Sequence, residues 1–347
     1  MVRVAIIGCG YWGPNLLRNL WTLPNCEVRT ACDSRPERLE HMSRLYAGIR
    51  TTTDVADVIG DPEIDAVVVA TPVHSHFALA KEFIEAGKHT FVEKPLAAGT
   101  EEAAELVRLA EERNVVLMVG HTFVYSPPVR RMKELIDAGS IGEVLYVSSR
   151  RLNLGLFQTD INVAWDLGPH DISIILYLLG SDPCTVSCQG VDHFNTGIED
   201  VTTMSLVFPG GEFVNIQNSW LDPRKTREMT IVGTEKMIVY DDTEPLEKVR
   251  IYDKHVNVPP HYDTYAEFNF SYHYGDIAIP YIQMVEPLKV EAQHFLDCIS
   301  GGTACMSSGQ EGLRVVEILE RATESLRADG ALISLNTDVA REDQVRV

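Results

Sequence analysis

Three glycines in six residues, Gly8-Cys9-Gly10-Tyr11-Trp12-Gly13, stand between the apolar run Val2–Ile7 and the helical pattern Pro14–Leu20. In a strand, glycine loop and helix of this spacing, each glycine has its own duty. The first permits the tight turn, the second lets backbone approach a pyrophosphate, and the third lets helix and strand pack, with the helix N-terminus facing the anion. Alone the spacing is weak evidence. Here a second strand, Glu27–Cys32, ends in Asp33, at the separation of roughly 20 residues expected of a ribose-binding acid. The segment therefore reads as dinucleotide-binding, with Gly8, Gly10, Tyr11, Trp12 and Gly13 at the pyrophosphate and Asp33, Ser34 and Arg35 at the adenosine ribose. A carboxylate accepts bonds from a 2'-hydroxyl and repels a 2'-phosphate, so Asp33 favours NAD; Arg35 and Arg38 leave NADP open.

Strand and helix patterns keep alternating: strand 65–70, helix 75–86, strand 90–92, helix 101–113, strand 115–119. That alternation predicts an α/β fold with a doubly wound parallel Rossmann sheet. Ligands of such sheets gather beyond the carboxyl ends of the strands, which selects Thr71-Pro72-Val73-His74-Ser75-His76, Glu93-Lys94-Pro95 and Gly120-His121. Thr71, Pro72, His76, Glu93 and Lys94 are expected at the cofactor. Lys94, at a strand end before a proline, is held rather than free and is suited to polarise a substrate hydroxyl. His74, His76 and His121 are given no proton-transfer role.

From Glu143 the chain turns to successive strands, 143–153, 185–191, 201–207, 212–220, 227–232 and 236–240. They predict an open, mainly antiparallel sheet, and domains of 1–122 (NAD-binding) and 123–347 (substrate-binding and oligomerisation). Within this half, Trp165-Asp166-Leu167-Gly168-Pro169-His170-Asp171 precedes the apolar run Ile172–Leu179. A helix over Gly168–Leu179 is expected, with Pro169 in its first turn. Asp166 and His170, four residues apart, would share a face, and a carboxylate beside an imidazole tunes it as a base for a hydroxyl proton. Arg150-Arg151 is the local basic cluster for a phosphate or carboxylate. Strand alternation lets at most one of the two face a cleft. Asn153, Gln158 and Asn162 are candidates for sugar hydroxyls, and Tyr272 or Tyr274 for stacking. Residues 253–283 are aromatic with few regular signals and read as a long ordered loop; helices are expected over Leu288–Ile299 and Gln310–Arg327.

A chain of 347 residues with 45% hydrophobic and 23% charged side chains suits two soluble domains. Its net charge of -20 argues against nucleic acid and anionic membrane as partners. Small molecules and copies of itself remain, the open sheet face suggesting a homodimer or homotetramer. Seven scattered cysteines with no CxxC spacing point to a reducing compartment, without disulfides or metal. No leader or membrane span is evident, and cytoplasm is the expected location.

With the glycine loop, Glu93-Lys94-Pro95 and Asp166-Leu167-Gly168-Pro169-His170 in this order, nearly the whole chain resembles the glucose-fructose oxidoreductase, inositol dehydrogenase and rhizopine-catabolism (Gfo/Idh/MocA) family. The resemblance implies that Lys94 contacts the reacting hydroxyl, with Asp166 as relay and His170 as acid/base. Substrate contacts are expected from Lys94 and His170 on this ground, and from Arg151, Asn153 and Asn162 on the charge and polarity noted above. Within the family the chain is similar to nucleotide-sugar 3-dehydrogenases acting on UDP-N-acetylglucosaminuronate, through Gly10–Asn15, Arg150–Gly155, Trp165–Asp171 and Gly275–Pro280. Asn162-Val163-Ala164-Trp165 replaces the paired glycines of many inositol-type relatives, which argues against simple inositol oxidation. The expected activity is hydride transfer between NAD and a secondary alcohol of a sugar, at C3 of a nucleotide-linked hexose or hexuronate. The alternatives are a redox-neutral NAD-dependent glycosidase or lyase, and a dehydrogenase of free inositols or sugars.

Overall fold

The computed structural model describes residues 1–257 and 271–335. His261-Tyr262 of the aromatic stretch and the polar end Arg341–Val347 lie outside the described residues. Contacts divide the chain into two compact units, Met1–Pro127 with Met284–Glu317, and Pro128–Gln283 with the residues from Ile318 on. The segment Met284–Glu317 is thus grouped with the nucleotide-binding half of the sequence.

The first unit is built on six parallel strands: β1 (Val2–Ile7), β2 (Cys26–Cys32), β3 (Arg50–Thr52), β4 (Ala66–Val69), β5 (His89–Glu93) and β6 (Leu117–Gly120). Their order is β3-β2-β1-β4-β5-β6, joined through α1 (Gly13–Trp21), α2 (Pro36–Leu45), α3 (Val55–Ile59), α4 (His76–Glu85) and α5 (Thr100–Arg113). Because helices cover such a sheet, its central strands are apolar on both faces. Val4, Ala5 and Ile6 on β1 and Val67, Val68 and Val69 on β4 are all buried. The strand order reverses between β1 and β4, and a crevice at that switch point is where a nucleotide binds. The helix α6 (Pro127–Asp137) follows.

In the second unit nine strands form one sheet. They are β7 (Val144–Leu154), β8 (Thr185–Val191), β9 (Val201–Val207), β10 (Phe213–Ser219), β11 (Leu221–Gly233), β12 (Met237–Asp241), β13 (Val249–Asn257), β14 (Ser271–Ala278) and β15 (Ile333–Ser334). The order is β14-β13-β12-β11-β7-β10-β9-β8-β15, antiparallel except for the β10–β7 pair. The helix α7 (Val163–Leu179) packs on β7, β9 and β10. Two further helices are α8 (Pro287–Gly301), against α1, and α9 (Gly309–Arg327).

Two expectations need correction. Within the loop expected over 253–283, residues 253–257 and 271–278 are strand, belonging to β13 and β14, which pair antiparallel from Ile251↔Ala278 to Asn257↔Ser271; residues 258–270 lie outside the described residues. Aromatic residues there alternate with polar ones on a ladder instead of packing a loop. The helix expected at Gly168 begins five residues earlier, at Val163, leaving Pro169 inside it. Asn162 starts it: its side-chain oxygen accepts the Trp165 N–H at 3.1 Å, a cap that fixes the first turn more firmly than the proline. No helix among the described residues is long and apolar enough to cross a membrane.

Candidate active site

The turn and the close packing predicted for the glycine loop are both visible in its backbone. Gly8 has a φ of +94°, and a Cβ there would lie 2.7 Å from the Ala70 carbonyl oxygen. A Cβ on Gly13 would run into the Gly8 carbonyl oxygen, so the third glycine is required by packing. At Gly10 a Cβ would meet nothing nearer than the Arg35 guanidinium at 4.0 Å; the bare backbone there faces open space that an incoming pyrophosphate can use. No side chain caps α1; Pro14 has no N–H and the Asn15 N–H donates to the Trp12 carbonyl at 2.9 Å, so the Gly13 N–H is the first-turn donor left for an anion. These residues fit a dinucleotide. Tyr11 and Trp12, on the same loop, are exposed, as are Ser34 and Arg35.

Asp33 is buried, and its carboxylate already has work: Oδ2 accepts the Cys9 N–H at 2.7 Å, and Oδ1 accepts the Arg35 backbone N–H at 2.9 Å and the Arg35 Nε–H at 3.4 Å. The acid therefore braces the glycine loop as well as ending β2, and lone pairs beyond those three bonds are what a ribose hydroxyl would meet.

Beyond β4 and β5 the loops are pinned together. The buried His76 ring lies between the carbonyl oxygens of Thr71 and Pro95, at 2.8 Å from each, and burial pushes its pKa down. The ring thereby clamps the Thr71 and Lys94 loops, both expected at the cofactor, while Thr71 Oγ1 also accepts the Ser75 hydroxyl at 2.8 Å. Pro72 is exposed at the loop tip. Glu93 is buried; its Oε2 accepts the Lys94 N–H at 3.2 Å. Burial pushes the Glu93 carboxyl up to about 7, partly offset by the Lys94 charge. His121 is buried and pushed down to about 3, so it is neutral.

In the second unit α7 presents Asp166 in its first turn and His170 one turn later, on one face by helical period. The Trp220 indole N–H donates to Asp166 Oδ2 at 3.0 Å, so a fully buried tryptophan orients the carboxylate. Nothing in the sequence pairs these two residues, 54 positions apart. The next turn anchors the helix: Arg151 on β7 donates through Nε and Nη2 to Asp171 at 2.8 and 3.0 Å, both side chains buried. This bidentate pair compensates the charge of Arg151, the arginine expected at the substrate. Arg150 points the other way, exposed, with Nε 3.3 Å from Gln217 Oε1. Asn162 is also claimed, capping α7 with its oxygen and donating its amide to Glu199 Oε2 at 2.8 Å.

Beside His170 is a cavity of about 360 Å³. It brings together His170, Arg151 and Asn153 from the expected residues, and adds Lys225 and Arg227 from β11. A space of that volume fits a sugar ring with substituents.

A model described as "Oxidoreductase family, NAD-binding Rossmann fold" matches residues 2–121. A second, "GFO/IDH/MocA C-terminal domain", matches residues 129–239. Among curated proteins, scyllo-inositol 2-dehydrogenase (NAD(+)) of Bacillus subtilis is 26% identical, covering 94% of each chain. UDP-N-acetylglucosamine 3-dehydrogenase of Acidithiobacillus ferrooxidans is 29% identical over 73% of this chain and 76% of its own. A solved structure of that enzyme superposes with a TM-score of 0.78, covering 94% of this chain and 98% of the other at 25% identity. The 2,7-anhydro-N-acetylneuraminate hydratase of Escherichia coli is 27% identical over 72% of this chain and 70% of its own.

Proposed function

This chain belongs to the Gfo/Idh/MocA family of oxidoreductases, with an NAD-binding Rossmann domain, and from that premise we propose that it oxidises or reduces a secondary alcohol of a nucleotide-linked sugar, at C3 of a hexose or hexuronate. The observation that carries the reading is the second-unit cavity, in which His170 shares a wall with Asn153 and basic side chains. Bound NAD would supply the hydride acceptor at nicotinamide C4. His170 takes the hydroxyl proton, Asp166 orients and tunes its ring, and Lys94 stabilises the negative charge that develops on the oxygen. Ketone reduction uses the same groups in reverse. Asn153 is suited to a sugar hydroxyl.

The named 3-dehydrogenase relative supports a nucleotide-sugar substrate. Exposed Tyr272, Tyr274 and Ile277 on β14 support a homodimer or homotetramer that covers this apolar stretch. Seven free thiols suit the cytoplasm. A second reading, redox-neutral chemistry on a retained cofactor, is favoured by the hydratase relative.

The test is to follow NADH formation with UDP-sugars, dTDP-sugars, free hexoses and free inositols in parallel. Turnover of UDP-sugars, with the product oxidised at C3, is expected. Turnover confined to free polyols contradicts the substrate assignment, and product without net NADH selects the redox-neutral reading.

A further inference from the structure

The cavity beside His170 reverses the charge balance of the chain. The sequence holds 50 acidic and 30 basic side chains, yet the cavity wall contains Arg151, His170, Lys225 and Arg227 and no carboxylate. Two of these charges are compensated from behind, Arg151 by Asp171 at 2.8 Å and Arg227 by Asp242 at 3.2 Å. Lys225 is exposed, and no carboxylate among the described residues pairs with it.

Backbone irregularity puts Lys225 there. The β11–β7 ladder runs through Leu221↔Leu154 and resumes at Thr226↔Leu152, so a stretch of β11 is looped out where β7 advances only two positions. Asp222, Pro223, Arg224 and Lys225 form that bulge, and Pro223, which has no N–H to give a ladder, also lines the cavity. Bulges re-aim side chains beside binding sites. Regular pairing would instead have continued the alternation of the strand and given the ladder its hydrogen bonds.

We infer that Lys225 is an anion subsite of this cavity, binding a carboxylate or phosphate oxygen of the substrate through its ammonium. The inference rests on the sugar-oxidoreductase reading above and names the substrate class more narrowly: an anionic sugar derivative. An ammonium offers three donors and a full charge to such a group. The carboxylate or phosphate it binds keeps its charge through hydride transfer, so the contact acts equally on ground and transition states and its effect belongs in KM.

The experiment compares wild type, Lys225→Met and Lys225→Arg. Their ligands are UDP-N-acetylglucosaminuronate, UDP-N-acetylglucosamine and the corresponding free sugars. Binding is measured by calorimetry on protein loaded with NADH, and turnover as kcat and KM. Loss of one charge-assisted contact should weaken the anionic ligands by about 10- to 100-fold in Kd and KM. The loss should be at least about tenfold greater than for free N-acetylglucosamine, with arginine restoring most of it. A loss confined to the two uronates assigns the carboxylate; a loss shared by both UDP-sugars assigns the diphosphate. Equal binding of every anionic ligand by wild type and Lys225→Met overturns the subsite, as does a loss of the same size on the neutral sugar. Calorimetry gives this answer even where none of the sugars is turned over, an outcome that would count against the functional reading alone.

Discussion

The Glu93 carboxyl has one oxygen bonded to the Lys94 N–H and the other, Oε1, buried without a hydrogen-bond partner. Burial therefore favours its protonated form and lifts it to about 7. Since folding raises this pKa, the folded protein holds the proton more tightly than the unfolded chain does. The stability so gained is complete below the ordinary carboxyl range and is lost as pH rises through about 7. Glu93→Gln removes this contribution, so its urea midpoint should fall less than that of wild type between about pH 4.5 and about pH 7. Parallel curves for the two proteins would contradict the assignment. The site was partly readable at this scale. Lys94, Asp166 and His170 stood out by motif, and Asn153 by its place on the strand end. At Asn162 the sequence did not show the local duty, since an amide before a helix serves equally as a cap and here also bonds Glu199. Trp220 and Lys225 were invisible: one is recognised only through its bond to Asp166, the other only through a bulge.

Among the elements, α7 and β7 are coupled by the Arg151–Asp171 pair, buried at 6% and 5% side-chain exposure. Removing one member of a buried pair leaves an uncompensated charge and costs about 3–5 kcal/mol. Asp171→Asn should lose about that much in denaturant unfolding, with the cavity beside His170 disturbed as the Arg151 fork loses its acceptor. A loss below about 1 kcal/mol would show that the pair does not hold the helix to the strand. Five strands of the parallel sheet were legible as runs between turn signals, whereas β3, Arg50-Thr51-Thr52, is polar and largely exposed and was missed; in the other sheet 185–191 and 201–207 coincide with β8 and β9. The start of α7 was not, since Pro169 reads as a helix opening although the Asn162 cap decides the matter. β13 and β14 were missed for a different reason: tyrosines and histidines that are half-buried on β13 and mostly exposed on β14 blur the period that a one-sided ladder would show.

At the scale of the whole molecule, the chain divides its chemistry. The glycine cradle and Lys94 belong to one compact unit; Asp166, His170 and the basic cavity belong to the other. The most direct measurement of the proposed mechanism is single-turnover NADH formation by wild type and His170→Asn, with the sugar substrate found in the parallel assay. The account predicts a rate lowered by about 10²- to 10⁴-fold, the range for a lost general base, with NADH affinity unchanged because His170 is no part of the glycine cradle. Full turnover by His170→Asn across the pH range would contradict it.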